Sequence, residues 1–287
     1  MDKDFARKLE SMCGKRCLWE IWKDMMEMFA ATISNAVDER HREAREKRFR
    51  AIAEQYSEAE MENFAELFAR MVMEMEQGGH RDYLGELYME LGLGSDAGGQ
   101  FFTPYDVCRM MGRLTLPEAE EMIRRDGWIA ISDCAAGAGA TLIAAADILR
   151  NELHIDYQRK ALFAAQEIDR TTAMMCYVQL SLYGMAGYVH IGNTLTREVV
   201  AKARLSPRTR EAARRTKPAT RPCAVGRAIS PMTGHPLFGD RGEDTWYTPM
   251  YFSGTWAIRR QAEAMRRALA FERCDKPEGR YQADGGD

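Results

Sequence analysis

Ser132-Asp133-Cys134-Ala135-Ala136-Gly137-Ala138-Gly139-Ala140-Thr141 follows a short apolar run, Trp128-Ile129-Ala130-Ile131, and leads into another, Leu142-Ile143-Ala144-Ala145-Ala146. The order reads as strand, glycine-rich turn, helix. Glycines at 137 and 139 lack a Cβ and let the backbone come close to a ligand. The helix start behind them offers unpaired N–H groups. No Gly-Lys-Ser/Thr follows, so the turn is not a P-loop, and it falls short of a full G-x-G-x-x-G dinucleotide fingerprint. That incomplete pattern counts against a Rossmann dehydrogenase.

The same grammar repeats downstream. Ala161-Leu162-Phe163-Ala164-Ala165-Gln166 reads as a buried strand ending in Glu167-Ile168-Asp169. A helix from about Thr171 to Tyr183 follows, with Gly184 as its stop. A third strand, Gly187-Tyr188-Val189-His190-Ile191, runs into Gly192-Asn193. This is β-α-β-α-β, the pattern of a parallel sheet with crossover helices. Ligands of such sheets sit at the carboxyl ends of the strands. Asp133, Glu167 and Asn193 are the residues placed there. An acid one strand beyond the glycine turn can accept hydrogen bonds from ribose hydroxyls. Upstream, Gln100-Phe101-Phe102-Thr103-Pro104 precedes a helical run, Tyr105 to Leu114. Thr103 is expected as its N-cap, Pro104 as its first residue and Asp106 as the partner in a capping box.

These four segments together resemble the adenine-specific DNA methyltransferases, and within them the modification subunits of type I restriction systems, the N-6 DNA methylase family. The likeness covers about Asp82 to Leu195. It implies an α/β fold, a Rossmann-like S-adenosylmethionine-dependent methyltransferase sheet, with an N-terminal helical region. It implies a site-specific, adenine-specific DNA-methyltransferase with S-adenosylmethionine as cofactor. The partners it implies are DNA and, for the restriction-modification type, a separate specificity or restriction subunit. In the family the Gln-Phe-Phe/Tyr-Thr-Pro segment packs on the methionine part of the cofactor, a role that maps to Phe102, Thr103 and Pro104. The glycine turn wraps the cofactor, which maps to Asp133, Ala135, Gly137 and Gly139. The acid after the second strand holds the ribose and maps to Glu167; the residue after the third meets the adenine amino group and maps to Asn193.

The chain departs from the family at three places. Cys134 stands where Pro is usual and Asn193 where Asp is usual. The family's Asn/Asp-Pro-Pro-Tyr/Phe, which follows a fourth strand, occurs nowhere in the 287 residues. That motif is the catalytic one. The exocyclic amine of adenine is a poor nucleophile, and side-chain and carbonyl acceptors favour its tetrahedral form in the transition state. The aromatic stacks on a base flipped from the duplex. Thr245-Trp246-Tyr247-Thr248-Pro249-Met250-Tyr251-Phe252 supplies aromatics and one proline in the corresponding part of the chain. Tyr247 and Pro249 are therefore the candidate catalytic residues, against packing in the core or an edge strand. Two hypotheses stand: an adenine methyltransferase with a variant catalytic segment, and a cofactor-binding relative without catalysis that serves as a structural or DNA-binding subunit.

The rest of the chain sets the frame. Residues 1–80 read as a helical region. Leu18, Ile21, Trp22, Met25, Phe29 and Ile33 recur at helical spacing, and Ser57 with Glu60 forms a capping box before a second stripe. Glu39 to Arg50 is dense in mixed charge and reads as a solvated helix. Residues 81–196 form the cofactor-binding core. Residues 197–244 carry Arg204, Arg208, Arg210, Arg214, Arg215, Lys217, Arg221 and Arg227 with five prolines, and read as a basic flexible insertion or linker, or a phosphate-contacting loop. Residues 245–287 are the remainder of the core and a tail, with a basic amphipathic helix from Ile258 to Arg273. A net charge of −3 excludes a polycation, so any DNA-binding face is local. Seven cysteines without a paired framework fit a reducing cytoplasm. Cys13-x-x-x-Cys17 lacks a second ligand pair, so no metal is expected, and no transmembrane run is present.

Overall fold

A computed structural model describes residues 3–94, 102–194 and 244–274. The basic stretch 197–243, the residues Gln100, Phe101 and Leu195, and the tail after Cys274 lie outside them. Among the described residues seven helices precede the sheet: α1 (Lys3–Ser11), α2 (Leu18–Asn35), α3 (Arg42–Ala53), α4 (Glu58–Gln77), α5 (Tyr83–Glu90), α6 (Tyr105–Thr115) and α7 (Ala119–Asp126). The capping box at α4 forms as its sequence dictates. The Ser57 N–H donates to Glu60 at 2.7 Å, and the Ser57 hydroxyl accepts from the Glu60 N–H at 3.4 Å.

Strand β1 (Ile129–Asp133) leads through the glycine turn into α8 (Ala140–Asp147), which continues as a π-helical turn, Ile148–Glu152. A short α9 (Tyr157–Lys160) precedes β2 (Ala161–Glu167). Then come α10 (Arg170–Leu182), β3 (Gly187–Ile191), β4 (Thr245–Tyr247), α11 (Pro249–Phe252) and α12 (Gly254–Cys274). The sheet order is β1-β2-β3-β4. The first three strands are parallel, with Ile129 opposite Ala161 and Phe163 opposite Gly187. Leu162, Phe163, Ala164 and Ala165 are buried on both faces, as a parallel strand covered by helices requires. Strand β4 is antiparallel to β3, pairing Thr245 with His190 and Tyr247 with Tyr188. The chain therefore re-enters the sheet at its carboxyl end and runs back toward its amino end.

The N-terminal helices share one core with the sheet. Ile21, Trp22, Met25 and Phe29 of α2 belong to the same buried cluster as Ile143, Phe163 and Tyr177. Polar contacts reinforce this join. Glu27 of α2, 7 % exposed, takes two hydrogen bonds from Arg170 of α10, at 2.7 and 2.9 Å. Burial raises the Glu27 carboxyl above its ordinary range, and the neighbouring Arg48 works against that rise.

One residue of the charge-dense helix α3 departs from the solvated expectation. Arg45 is buried; its guanidinium donates to Ser34, to Asp38 at 2.8 Å and to the Thr245 carbonyl at 2.9 Å. It also lies 4.0 Å from the centre of the Trp246 ring. A buried cation survives when paired, and here, with only its Nε left without an acceptor, it fastens the helical region to β4.

Asp82 and Gln179 form a second buried polar join. Asp82 caps α5 by accepting from the Gly85 N–H at 3.0 Å, and a Cβ at Gly85 would lie 2.0 Å from its carboxylate. Gln179, on α10, donates to Asp82 at 2.7 Å and accepts from the Leu84 N–H at 3.0 Å.

Burial pushes the Asp82 carboxyl up to about 6, although the bonds from Gln179 and Gly85 pull the other way. In the unfolded chain the group titrates near ~3.9. The folded form thus holds the extra proton between these values, and its contribution to stability is full below about pH 4 and lost as pH rises through about 6. Asp82→Asn removes the ionisation while keeping an acceptor. The unfolding free energy of the variant minus that of the wild type should grow by up to about 3 kcal/mol from about pH 4 to about pH 7. Urea titrations across that range measure it, and a difference independent of pH would show that the carboxyl ionises without penalty.

Candidate functional site

The glycine turn is built by its flanking acid and by β2. Asp133 ends β1 and turns its carboxylate forward, accepting from the Ala135 N–H at 3.0 Å and from the Thr141 hydroxyl. The Ala136 N–H donates to the Gln166 carbonyl at 3.0 Å, which ties the turn to the end of β2. Gly137 and Gly139 adopt φ +56° and +99°, conformations that side chains oppose. Space forbids a side chain as well. A Cβ on Gly137 would lie 3.3 Å from the Phe102 ring, and one on Gly139 would lie 3.0 Å from the Cys176 sulfur. Gly137 thus lets the Phe102 ring close over the turn, and Gly139 lets α10 approach the start of α8. Gln179 holds the turn from below by donating to the Ala138 carbonyl at 2.8 Å.

Glu167 closes the other wall. One carboxylate oxygen accepts from the Gly137 N–H at 2.9 Å; the other accepts from the N–H groups of Ile168 and Asp169 at 2.8 and 2.9 Å. A carboxylate offers about four acceptor positions, so Glu167 keeps capacity for a hydroxyl, and more if the Gly137 contact is exchanged. Asp169 caps α10, accepting from the Thr172 N–H and hydroxyl, both at 2.8 Å. The β3 end is joined to the same rim. The Gly192 N–H donates to the Glu167 carbonyl at 2.9 Å, and the Thr194 hydroxyl to the Cys134 carbonyl at 2.5 Å. Asn193 stands exposed between these two joins.

The structure therefore brings Phe102, Asp133, Ala135, Gly137, Gly139, Glu167 and Asn193 to one end of the sheet. Thr103 and Pro104 follow Phe102 and are exposed. Their expected capping roles are corrected. Pro104, at ψ 139°, is itself the cap residue of α6, no side chain caps the helix, and Tyr105 is its first residue. The Pro104 carbonyl receives the N–H groups of Val107 and Cys108 at 2.9 and 3.1 Å.

Tyr247 and Pro249 are not brought to this end. Tyr247 pairs with Tyr188, near the start of β3, because β4 is antiparallel. It is 4 % exposed and stacks on Tyr251 with ring centres 4.8 Å apart. Thr248, between the two, donates to the Met185 carbonyl at 2.7 Å and accepts from the Gly187 N–H at 3.0 Å. These contacts fix the segment at the amino end of the parallel strands, across the sheet from Glu167. Its aromatics pack an apolar cluster with Leu162, Ala164 and Trp256.

Three residues at the site escaped the sequence. Thr141 had a local signal, a hydroxyl in the first turn of the helix that follows the glycines. Gln179 had a weaker one, a lone amide in the apolar run Met174-Met175-Cys176-Tyr177-Val178. Ile168, 65 % exposed beside Glu167, is an apolar side chain held at the rim; such exposure is not written in sequence.

Residues 80–207 match the family model described as N-6 DNA Methylase, a span that takes in Phe102, the glycine turn, Glu167 and Asn193. Among curated proteins and among solved structures no match to the chain was found. Among the described residues no helix is long and apolar enough to cross a membrane. Over residues 80–207 the chain is therefore similar to the N-6 DNA methylase family, a likeness that supports a methyltransferase at the general level.

Proposed function

We propose that the carboxyl end of the sheet binds S-adenosylmethionine and that the chain serves methylation of adenine N6 in DNA. The observation that carries the reading is the contact between Glu167 and the Gly137 N–H, which sets an acid against the glycine turn. The parallel β1, β2 and β3 with their crossover helices make a Rossmann-like half-sheet, whose ligands bind at this end. The donor set fits the cofactor. Carboxylates at Asp133 and Glu167 suit a cationic sulfonium and ribose hydroxyls, and Phe102 gives an apolar wall over Gly137.

S-adenosylmethionine, when bound, supplies an electrophilic methyl group. Glu167 would hold the ribose by exchanging its Gly137 contact for a hydroxyl. Phe102, Thr103 and Pro104 would cover the methionine part, and the Asn193 amide, with both donor and acceptor, would meet the adenine ring. A restriction-modification setting with a separate specificity or restriction subunit is the partner arrangement this reading implies.

A second reading has its own support. Tyr247 and Pro249 stand at the amino end of the strands, and the 287 residues contain no Asn/Asp-Pro-Pro. We infer that the chain on its own binds cofactor and transfers methyl groups slowly or not at all, its amine-polarising groups coming from elsewhere.

Calorimetry with S-adenosylmethionine tests the first reading. The wild type should bind, and Gly137→Trp should abolish binding by filling the cradle. Glu167→Ala should weaken binding by roughly 1–3 kcal/mol, the worth of a lost charge-assisted bond. No heat from the wild type, with a nicotinamide cofactor bound instead, would refute the assignment. Tyr247 tests the second. Tyr247→Ala should lower stability by about 3–5 kcal/mol, as removal of a buried aromatic does, and Tyr247→Phe should leave cofactor affinity unchanged. A stable Tyr247→Ala protein that had lost a measurable methyl-transfer activity would return that residue to the catalytic machinery.

A further inference from the structure

Helix α6 turns its arginines toward the protein and its apolar side chains toward water. Cys108 and Gly112 are buried. Cys108 clusters with Ala140 and Ala144 of α8, and a Cβ on Gly112 would lie 2.5 Å from the Ile148 side chain. Beside this face Arg109 pairs with Asp147 at 3.1 Å and with Glu152 at 2.9 Å. Arg113 donates to both oxygens of Glu152, at 2.9 and 2.8 Å. The opposite face holds Val107, Met110, Met111 and Leu114, which are 39, 55, 46 and 72 % exposed. Helical geometry sets these four on one stripe. Single apolar residues on a surface need no explanation, but a stripe of adjoining ones marks an interaction face. Among the described residues none buries it.

The stripe is complementary to a copy of itself. Its positions are spaced three, one and three residues apart, so it reads the same from either end. Two α6 helices laid antiparallel bring Val107 of one against Leu114 of the other, and Met110 against Met111. Methionine suits such a seam, because its unbranched side chain adapts to the surface it meets. The charges agree with this direction. Asp106 in the first turn is exposed, and Arg113 in the last turn is 55 % exposed. Both lie on the same flank of the stripe. A two-fold axis between antiparallel helices keeps that flank on one side in both copies, so each Asp106 comes beside the partner's Arg113. Parallel helices would set each acid against the opposite, uncharged flank. Antiparallel helices also bring opposite dipole ends together.

We propose that α6 is the seam of a homodimer, in which two copies of the chain pack antiparallel through Val107, Met110, Met111 and Leu114. The seam is modest in size. α6 has 11 residues, which makes it about 16 Å long. That is the small end of specific interfaces, so the dimer should dissociate in the micromolar range. The seam stands whether or not the chain binds S-adenosylmethionine. It nevertheless lies next to the glycine turn in sequence, because α6 starts directly behind Phe102, Thr103 and Pro104. The Cys108 thiol donates to the Thr103 carbonyl at 3.7 Å, so the helix at the seam also anchors that segment.

Sedimentation equilibrium on the full chain, from about 1 to about 300 μM, reads the mass across the expected range. The wild type should move from 32.7 kDa toward twice that mass as concentration rises. A Met110→Glu, Leu114→Glu double variant should stay monomeric throughout. Both side chains are exposed, so its circular dichroism and its thermal midpoint at the lowest concentration should match the wild type. Asp106→Arg alone and Arg113→Asp alone should each weaken the dimer about tenfold by setting like charges across the seam. An equimolar mixture of these two should regain the wild-type affinity, because opposite charges then meet at both ends. A wild type that is monomeric at every concentration overturns the proposal and leaves the stripe to another segment of the chain or to a different protein. A dimer that survives the Met110→Glu, Leu114→Glu change lies on another surface and overturns it as well. Loss of the dimer in that variant, without recovery in the mixture, overturns the antiparallel arrangement.

Discussion

Three elements meet on the carboxamide of Gln179. Its nitrogen donates to Asp82 and to the Ala138 carbonyl, and its oxygen accepts from the Leu84 N–H. The glycine turn, the start of α5 and the middle of α10 are fixed by one side chain that water does not reach. A satisfied network of this kind rigidifies because each member, left alone, would be a buried polar group without a partner. The turn needs that support. Gly137 and Gly139 gain freedom of conformation by lacking a Cβ, and freedom alone would leave the cradle floppy. Gln179 from below, Glu167 from the side and the Gln166 carbonyl from β2 convert a permissive sequence into one shape.

Strand direction then divides the molecule into two ends with different tasks. Parallel strands send β1, β2 and β3 to a common carboxyl end, where their last residues and the turns after them collect. The antiparallel β4 inverts this for its own residues. Its first residue, Thr245, sits near the functional rim and receives Arg45 from the helical region, whereas Tyr247 and Pro249 are carried to the amino end. The same segment therefore starts beside His190, near the carboxyl end of β3, and ends in the apolar cluster at the amino end. Because Arg45 and Trp246 lock this strand to α3, the helical region is braced against the sheet at the point where the chain re-enters it.

Much of this was legible because its causes are local. Apolar runs gave β2 and β3 their limits, with Gly187 and Gly192 bounding β3, and the serine-to-glutamate spacing gave the start of α4. The glycine turn announced the carboxyl end of β1, and with it the places of Asp133, Glu167 and Asn193. What was illegible depends on partners remote in sequence. Arg45 looked like a solvated charge because its acceptor, the Thr245 carbonyl, lies 200 residues away. Tyr247 and Pro249 had suitable composition, but which end of a sheet a residue reaches depends on strand direction, and three residues of β4 carry no mark of direction. Thr103 had the side chain of a cap, yet the extended ψ of Pro104 delayed the helix by one residue.

The consequence for function lies in where apolar surface is left in water. The cradle side is complete in its own terms: its acids are loaded with backbone donors and its glycines are hemmed by Phe102 and Cys176. A methyl donor held there would be fixed on three sides. The acceptor side is a different matter, since the aromatic cluster of β4 and α11 is consumed in packing. The Tyr88 ring of α5, 5.6 Å from Phe102 and 5.8 Å from Trp22 of α2, joins the turn to the helical region through a shared buried core. The join between the helical region and the sheet through Arg45 and Glu27 keeps the two in a fixed relation.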